Sequence, residues 1–98
     1  MSYRVQITAV KPAGSQWFSE YNPDGHLAWQ SWFKNLPGVV NVTKTKPNNN
    51  TIVRTYEFLD EAAYLNVKEL SLTSPINLER VGYNELYGIT STTEILGA

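Results

Sequence analysis

Residues 36–63 read LPGVVNVTKTKPNNNTIVRTYEFLDEAA, and this stretch decides the fold. Leu36-Pro-Gly38 ends a helix, because proline lacks the amide a helix needs and glycine permits a left-handed turn. Val39, Val40 and Val42 then open a β-branched strand that runs to about Lys46. Pro47-Asn-Asn-Asn50 predicts a turn, since asparagine tolerates left-handed backbone angles and bonds its own main chain. Thr51 to Leu59 returns as a second strand, so the pair reads as a hairpin with a slightly long loop. Ile52, Arg54, Tyr56 and Phe58 share one face of that strand; Val53, Thr55, Glu57 and Leu59 share the other. Neither face is purely apolar, which predicts a bulge or a face that is wet in part. Asp60-Glu61 then caps a helix expected to run to about Leu70, with Ala63, Val67 and Leu70 inward and Tyr64 beside them.

The same reading extends outward in both directions. Met1 to Val10 alternates, with Tyr3, Val5, Ile7 and Ala9 on one side, as a strand does and a signal peptide does not. Lys11-Pro-Ala-Gly14 stops it, and Trp17, Phe18 and Tyr21 follow on a stretch read as irregular. Asn22-Pro23-Asp24 predicts a helix start, and Ala28 or Trp29, Trp32, Phe33 and Leu36 form its apolar stripe. Beyond the second helix, Ser74-Pro75 opens a short third one, suggested by the stripe Leu78, Val81 and Leu86, interrupted or loosened at Gly82 and closed by Gly88. Ile89 to Leu96 alternates again and gives the last strand.

The order strand, helix, strand, strand, helix, strand predicts an α+β fold, a β-α-β-β-α-β sandwich with a four-stranded antiparallel sheet and its helices on one face. One domain spanning residues 1–98 is expected. Eight Lys and Arg against nine Asp and Glu give a net charge of −1, which builds no field for nucleic acid. Lys44 and Lys46 alternate on what reads as a solvated edge strand. The chain has no Cys, so disulfides and thiolate chemistry are excluded. No apolar stretch reaches membrane-spanning length, and the cytoplasm is the expected compartment. The outer sheet face would carry Gln6, Thr8, Thr43, Thr55, Thr90 and Thr92, a mildly polar surface suited to pairing with a second copy as a homodimer.

Few residues offer chemistry. His26 is the lone histidine, in the first turn of the first helix, where the helix dipole opposes its charged form and a surface or cap-adjacent position is expected. One histidine and scattered carboxylates build no metal site. No Gly-x-Ser-x-Gly elbow or Gly-rich phosphate loop is present. Tyr83 and Tyr87, four apart with Asn84 nearby, read either as a pocket wall or as the rim of a packed helix. Arg54 interrupts its strand face, either to bind an anionic ligand or, as expected here, to snorkel past the hairpin end into water. The surplus of rings at Trp17, Phe18, Tyr21, Trp29, Tyr56 and Tyr64 is large for so small a core.

The helix ending in Leu36-Pro-Gly-Val39, the hairpin after it, the Phe58-Leu-Asp-Glu-Ala-Ala63 opening of the second helix, and the extra helix before the last strand resemble the dimeric α/β-barrel superfamily, in particular its antibiotic-biosynthesis-monooxygenase-like, ferredoxin-like members. That resemblance implies a homodimer with a cavity for a small aromatic ligand between sheet and helices, oxidised without metal, flavin or other cofactor. On that pattern Trp29, Tyr56 and Tyr64 would be the wall, and His26 or Arg54 the polar contact. Haem-degrading relatives use an Asn, a Trp and a His across the first strand and second helix. Here the first strand offers Gln6 but no Asn, and the second helix has no His, so the resemblance does not extend to haem degradation. The function implied is that of a small-molecule-binding protein, a cofactor-independent monooxygenase; the alternative is a non-catalytic dimeric binding or scaffolding module.

Overall fold

The computed structural model describes residues 2–98, and Met1 of the alternating first stretch lies outside the described residues. Eight elements follow one another: β1 (Tyr3–Val10), α1 (Phe18–Tyr21), α2 (Pro23–Lys34), β2 (Val39–Asn48), β3 (Thr51–Phe58), α3 (Glu61–Thr73), α4 (Pro75–Leu86) and β4 (Thr90–Gly97). The strands form one antiparallel sheet in the order β2-β3-β1-β4. This is the expected split β-α-β arrangement, with the two strands nearest the chain's middle and start at the centre.

The hairpin is tighter than its sequence suggests. β2 runs through Pro47 to Asn48, and only Asn49 and Asn50 make the turn. Asn48 Oδ1 accepts from the Asn50 amide at 2.9 Å, and no described residue other than glycine takes a positive φ. The asparagines therefore work by local hydrogen bonding and not by left-handed backbone angles. The expected bulges are present: the β2–β3 register shifts between Val39 and Asn41 and again between Thr45 and Asn48. Pro47 sits on an edge strand, where a missing amide breaks no ladder.

Two caps behave as read. Asn22 accepts from the Gly25 amide at 3.0 Å to start α2, and Asp60 accepts from the Ala63 amide at 2.8 Å to start α3. Three readings change. Trp17, Phe18 and Tyr21 are not on an irregular stretch: Phe18–Tyr21 is a short helix, and Glu20 holds it by accepting from the Trp17 amide. In α3 the inward residue is Val67, 2% exposed, while Leu70 is turned out at 38%. α4 is a full twelve-residue helix that runs unbroken through Gly82. Leu78 and Leu86 of its apolar stripe are turned outward, and Tyr83 is its buried residue.

The core lies on the helix side of the sheet in two parts. Val5, Trp29, Phe33, Tyr56, Phe58 and Val67 form the larger one. Trp17, Phe18, Ile52, Tyr83 and Ile89 form the second, under α1. Tyr83 donates its hydroxyl to the Gln16 carbonyl at 2.7 Å and stacks on Tyr21, so this end of the fold is closed by rings. The outer sheet face pairs Gln6 with Thr55 and Thr8 with Thr92, and adds Arg4 opposite Glu57. β4 is exposed along nearly its whole length on both faces. No helix among the described residues is long and apolar enough to cross a membrane.

Candidate functional site

Helices α3 and α4 contact each other but scarcely touch β1 and β4, which leaves a space above the sheet. That space is a cavity of about 290 Å³. Its floor is the inward face of the sheet, from Val5 and Ile7 across Arg54 and Tyr56 to Ser91 and Thr93. Trp29 and Phe33 of α2 close one side; Tyr64, Val67 and Ser71 of α3 and Asn77, Arg80 and Asn84 of α4 close the others. A second pocket of about 30 Å³ adjoins it, sharing Ala9, Arg54, Arg80 and Asn84 and adding His26 and Trp17.

Trp29 is the centre of the arrangement. The sequence puts it on the inward stripe of α2, and at 4% exposure its ring is almost wholly covered. Its indole N–H donates to Asn77 Oδ1 at 3.2 Å. Asn77 is itself fixed by donating Nδ2 to the Ser71 carbonyl at 2.9 Å, at the junction of α3 and α4. Arg80 donates Nη1 to the same Asn77 oxygen at 3.3 Å, and its guanidinium lies 4.0 Å from the Trp29 ring centroid. The Arg54 guanidinium lies 5.7 Å from that ring, and His26 stacks on it at 5.9 Å. Phe33 continues the row, 5.5 Å from Trp29 and 5.1 Å from Tyr56; Tyr64 packs on Phe58 at 5.4 Å.

Of the residues the sequence singled out, Trp29, Arg54, Tyr56 and Tyr64 share the wall of the larger cavity. His26 reaches the smaller one. It is half-buried and not a surface residue, and its pKa falls to about 4 through burial first, then the charges of Arg54, Lys44 and Arg80. The imidazole is therefore neutral at physiological pH, for a stronger reason than the helix dipole. Arg54 does not snorkel past the hairpin end. It sits mid-sheet, opposite Ile7 and Lys44, with its side chain turned over the cavity floor. Tyr83 stacks on Tyr21 and Tyr87 lies tilted beside both rings as part of the ring closure, while Asn84 alone of that trio lines the cavity.

Arg80 and Asn77 were missed. Burial draws the Arg80 guanidinium down to about 10, against the favourable influence of Tyr56 and with a further push from Arg54, so it stays charged at neutral pH. Burial also raises the Tyr56 phenol above its ordinary range. A signal for these residues existed: Asn77, Arg80 and Asn84 recur at helical spacing on α4, a polar stripe beside the apolar one. Chemically, the site offers a cavity with aromatic rings on its wall, two guanidinium groups and a neutral imidazole. No group of three or more His, Cys, Asp or Glu among the described residues is arranged to hold a metal ion.

No family model matches the chain, and no curated protein matches it. Solved structures do. SnoaB, a cofactor-independent oxygenase from Streptomyces nogalater, superposes with a TM-score of 0.68 at 16% identity over 100% of this chain and 94% of that one. A dimeric ferredoxin-like protein from an uncultured marine organism gives 0.70 at 18% identity, over 99% of this chain and 94% of that one. A Nitrosomonas europaea protein assigned as an antibiotic biosynthesis monooxygenase gives 0.71 at 11% identity, over 99% and 89%. Over its whole length, then, this chain has the ferredoxin-like α+β fold of these proteins.

Proposed function

We propose that this protein binds a small aromatic molecule in the cavity above its sheet and acts on it as a cofactor-independent monooxygenase, working as a homodimer. The observation that carries the reading is the cavity of about 290 Å³ walled by Trp29, Phe33, Tyr56, Phe58 and Tyr64. Aromatic walls with a few converging polar groups are the usual form of a small-molecule site, and this volume is at the small end of the range. The fold shared with a cofactor-independent oxygenase supports the reaction class, and that with a dimeric ferredoxin-like protein supports the assembly. In such chemistry the substrate itself is the reductant. A ring methylene becomes a carbonyl, one atom of O2 enters the product and the other leaves as water.

The test is oxygen uptake with anthrone-like substrates, in which the methylene lies between two rings. Turnover well above the buffer control, lost when Trp29 and Tyr56 are replaced by Ala and Phe respectively, is the expected result. Uptake equal to the buffer control rejects the enzyme reading. The absence of any carboxylate on the cavity wall favours a second reading, a binding module that holds an aromatic ligand without turning it over. Tight binding with no uptake would establish that one.

A further inference from the structure

The charges around the cavity are all of one sign. Arg54, Arg80 and Lys68 are on the wall of the larger space, and Arg54 and Arg80 are also on that of the smaller, beside His26. Neither wall contains an Asp or Glu. The ionisable groups that act on Arg80 are Tyr56 and Arg54, and those that act on His26 are three cations. Two half-buried guanidinium groups thus share one indole, at 4.0 and 5.7 Å, and beyond the Trp29 face Arg80 has only neutral Asn77 as a hydrogen-bond acceptor. A buried charge is ordinarily paired, because removing it from water is costly otherwise. Among the described residues no Asp or Glu lines the cavity to pair with them.

Arg80 is also aimed. A guanidinium carries five N–H donors, and the bond to Asn77 uses Nη1. Asn77 is held in turn by Trp29 and by the Ser71 carbonyl. Arg80 lines a cavity whose wall also carries the rings of Trp29, Phe33, Tyr56, Phe58 and Tyr64. We infer that the ligand is an aromatic anion, a molecule of two or three fused rings whose carboxylate or phenolate oxygen is received by Arg54 and Arg80 while its rings lie against Phe33, Tyr56 and Tyr64. This deepens the function proposed above and rests on its placing of the ligand in this cavity. Planar guanidinium groups match a carboxylate in two-point geometry, and charge-assisted bonds of that kind are among the strong ones. The ring count follows from the volume, which sits near the lower limit of roughly 300 Å³ for small-molecule sites.

The experiment compares 2-naphthoate with the neutral, nearly isosteric 2-naphthamide by calorimetry, and adds 2-naphthol titrated across its own ionisation. Naphthoate should bind tighter than naphthamide by on the order of tenfold, the size of one charge-assisted hydrogen bond. Arg54→Met and Arg80→Met should each erase most of that preference, and raising salt from about 20 mM to about 0.5 M should weaken naphthoate and leave naphthamide alone. If one Met variant fails to fold, Arg→Lys at the same position and the salt titration carry the comparison. Naphthol whose affinity rises as it ionises also supports the inference and marks the anion as a phenolate. Naphthamide bound as well as naphthoate, with naphthol indifferent to its ionisation, overturns the anionic ligand and leaves the aromatic cavity standing. If none of the three binds, both the inference and the cavity reading fall.

Discussion

Replacing Trp29 with Phe removes the part of the side chain that ties α2 to α4 while keeping a ring in place. Three losses add. The smaller ring gives up roughly 40 Å² of buried apolar surface, worth about 1 kcal/mol at the usual coefficient. The indole N–H bond to Asn77 at 3.2 Å is lost, a net cost of about 1 kcal/mol. Phenyl is also a weaker platform than indole for the Arg80 guanidinium at 4.0 Å, which costs about 0.5 kcal/mol more. The sum is about 2.5 kcal/mol. For a chain of this length that lowers Tm by about 10–20 °C. Urea unfolding should show the midpoint fall with an unchanged slope, since the surface exposed on unfolding hardly differs. A double-mutant cycle with Asn77→Ala should return a coupling of about 1 kcal/mol, because the two side chains share the lost bond. A destabilisation below about 1 kcal/mol, or no coupling to Asn77, would refute the assignment of Trp29 as the knot between the helices.

Two further outcomes follow from separate features. Gly38 has a φ of +87°, and a Cβ there would stand 2.5 Å from that of Ala63. Gly38→Ala should therefore cost about 2–4 kcal/mol, from the left-handed conformation plus overpacking. Gly82→Ala, in open space on α4, should instead stabilise by about 0.5–1 kcal/mol. Thermal melts giving the two changes the same sign would contradict the backbone argument. His26 supplies a pH effect: folded, it releases its proton near pH 4; unfolded, near the ordinary 6.5. Between those values the unfolded chain binds a proton that the folded one refuses, so this contribution to stability is complete above about pH 6.5 and is lost as pH falls toward 4. The full displacement amounts to about 3 kcal/mol, which the half-exposed ring reduces to about 1–2 kcal/mol. The difference in unfolding free energy between pH 7 and pH 4 should shrink by that amount in His26→Gln. Equal pH dependence in the two proteins would count against the burial of the imidazole among Arg54, Lys44 and Arg80.

Much of the fold was legible because its signals are local. The caps at Asn22 and Asp60, the stop at Leu36-Pro-Gly38 and the alternation in β1 each depend on a few neighbouring residues. α1 escaped because four residues are too few to show a helical period. α4 was misread for a deeper reason. Periodicity locates an apolar stripe but does not say which side of the helix faces the sheet. Where a helix lines a cavity and not a packed core, its polar residues turn inward. Leu86 is accordingly 77% exposed while Arg80, six positions earlier, is half-buried against Trp29. Arg54 was visible on the inward face of β3 from alternation alone, but its depth was not, because depth depends on α4 closing over it.

The fourth strand has a consequence for how such a protein changes over time. Ser91 and Thr93 line the cavity, yet the strand that bears them contributes none of the most deeply covered side chains. Val5, Phe33, Phe58 and Val67 secure the architecture from β1, β3 and the helices α2 and α3. Mutation on β4 can therefore reshape what is admitted with little penalty to the integrity of the scaffold, and selectivity is free to drift where the framework is not.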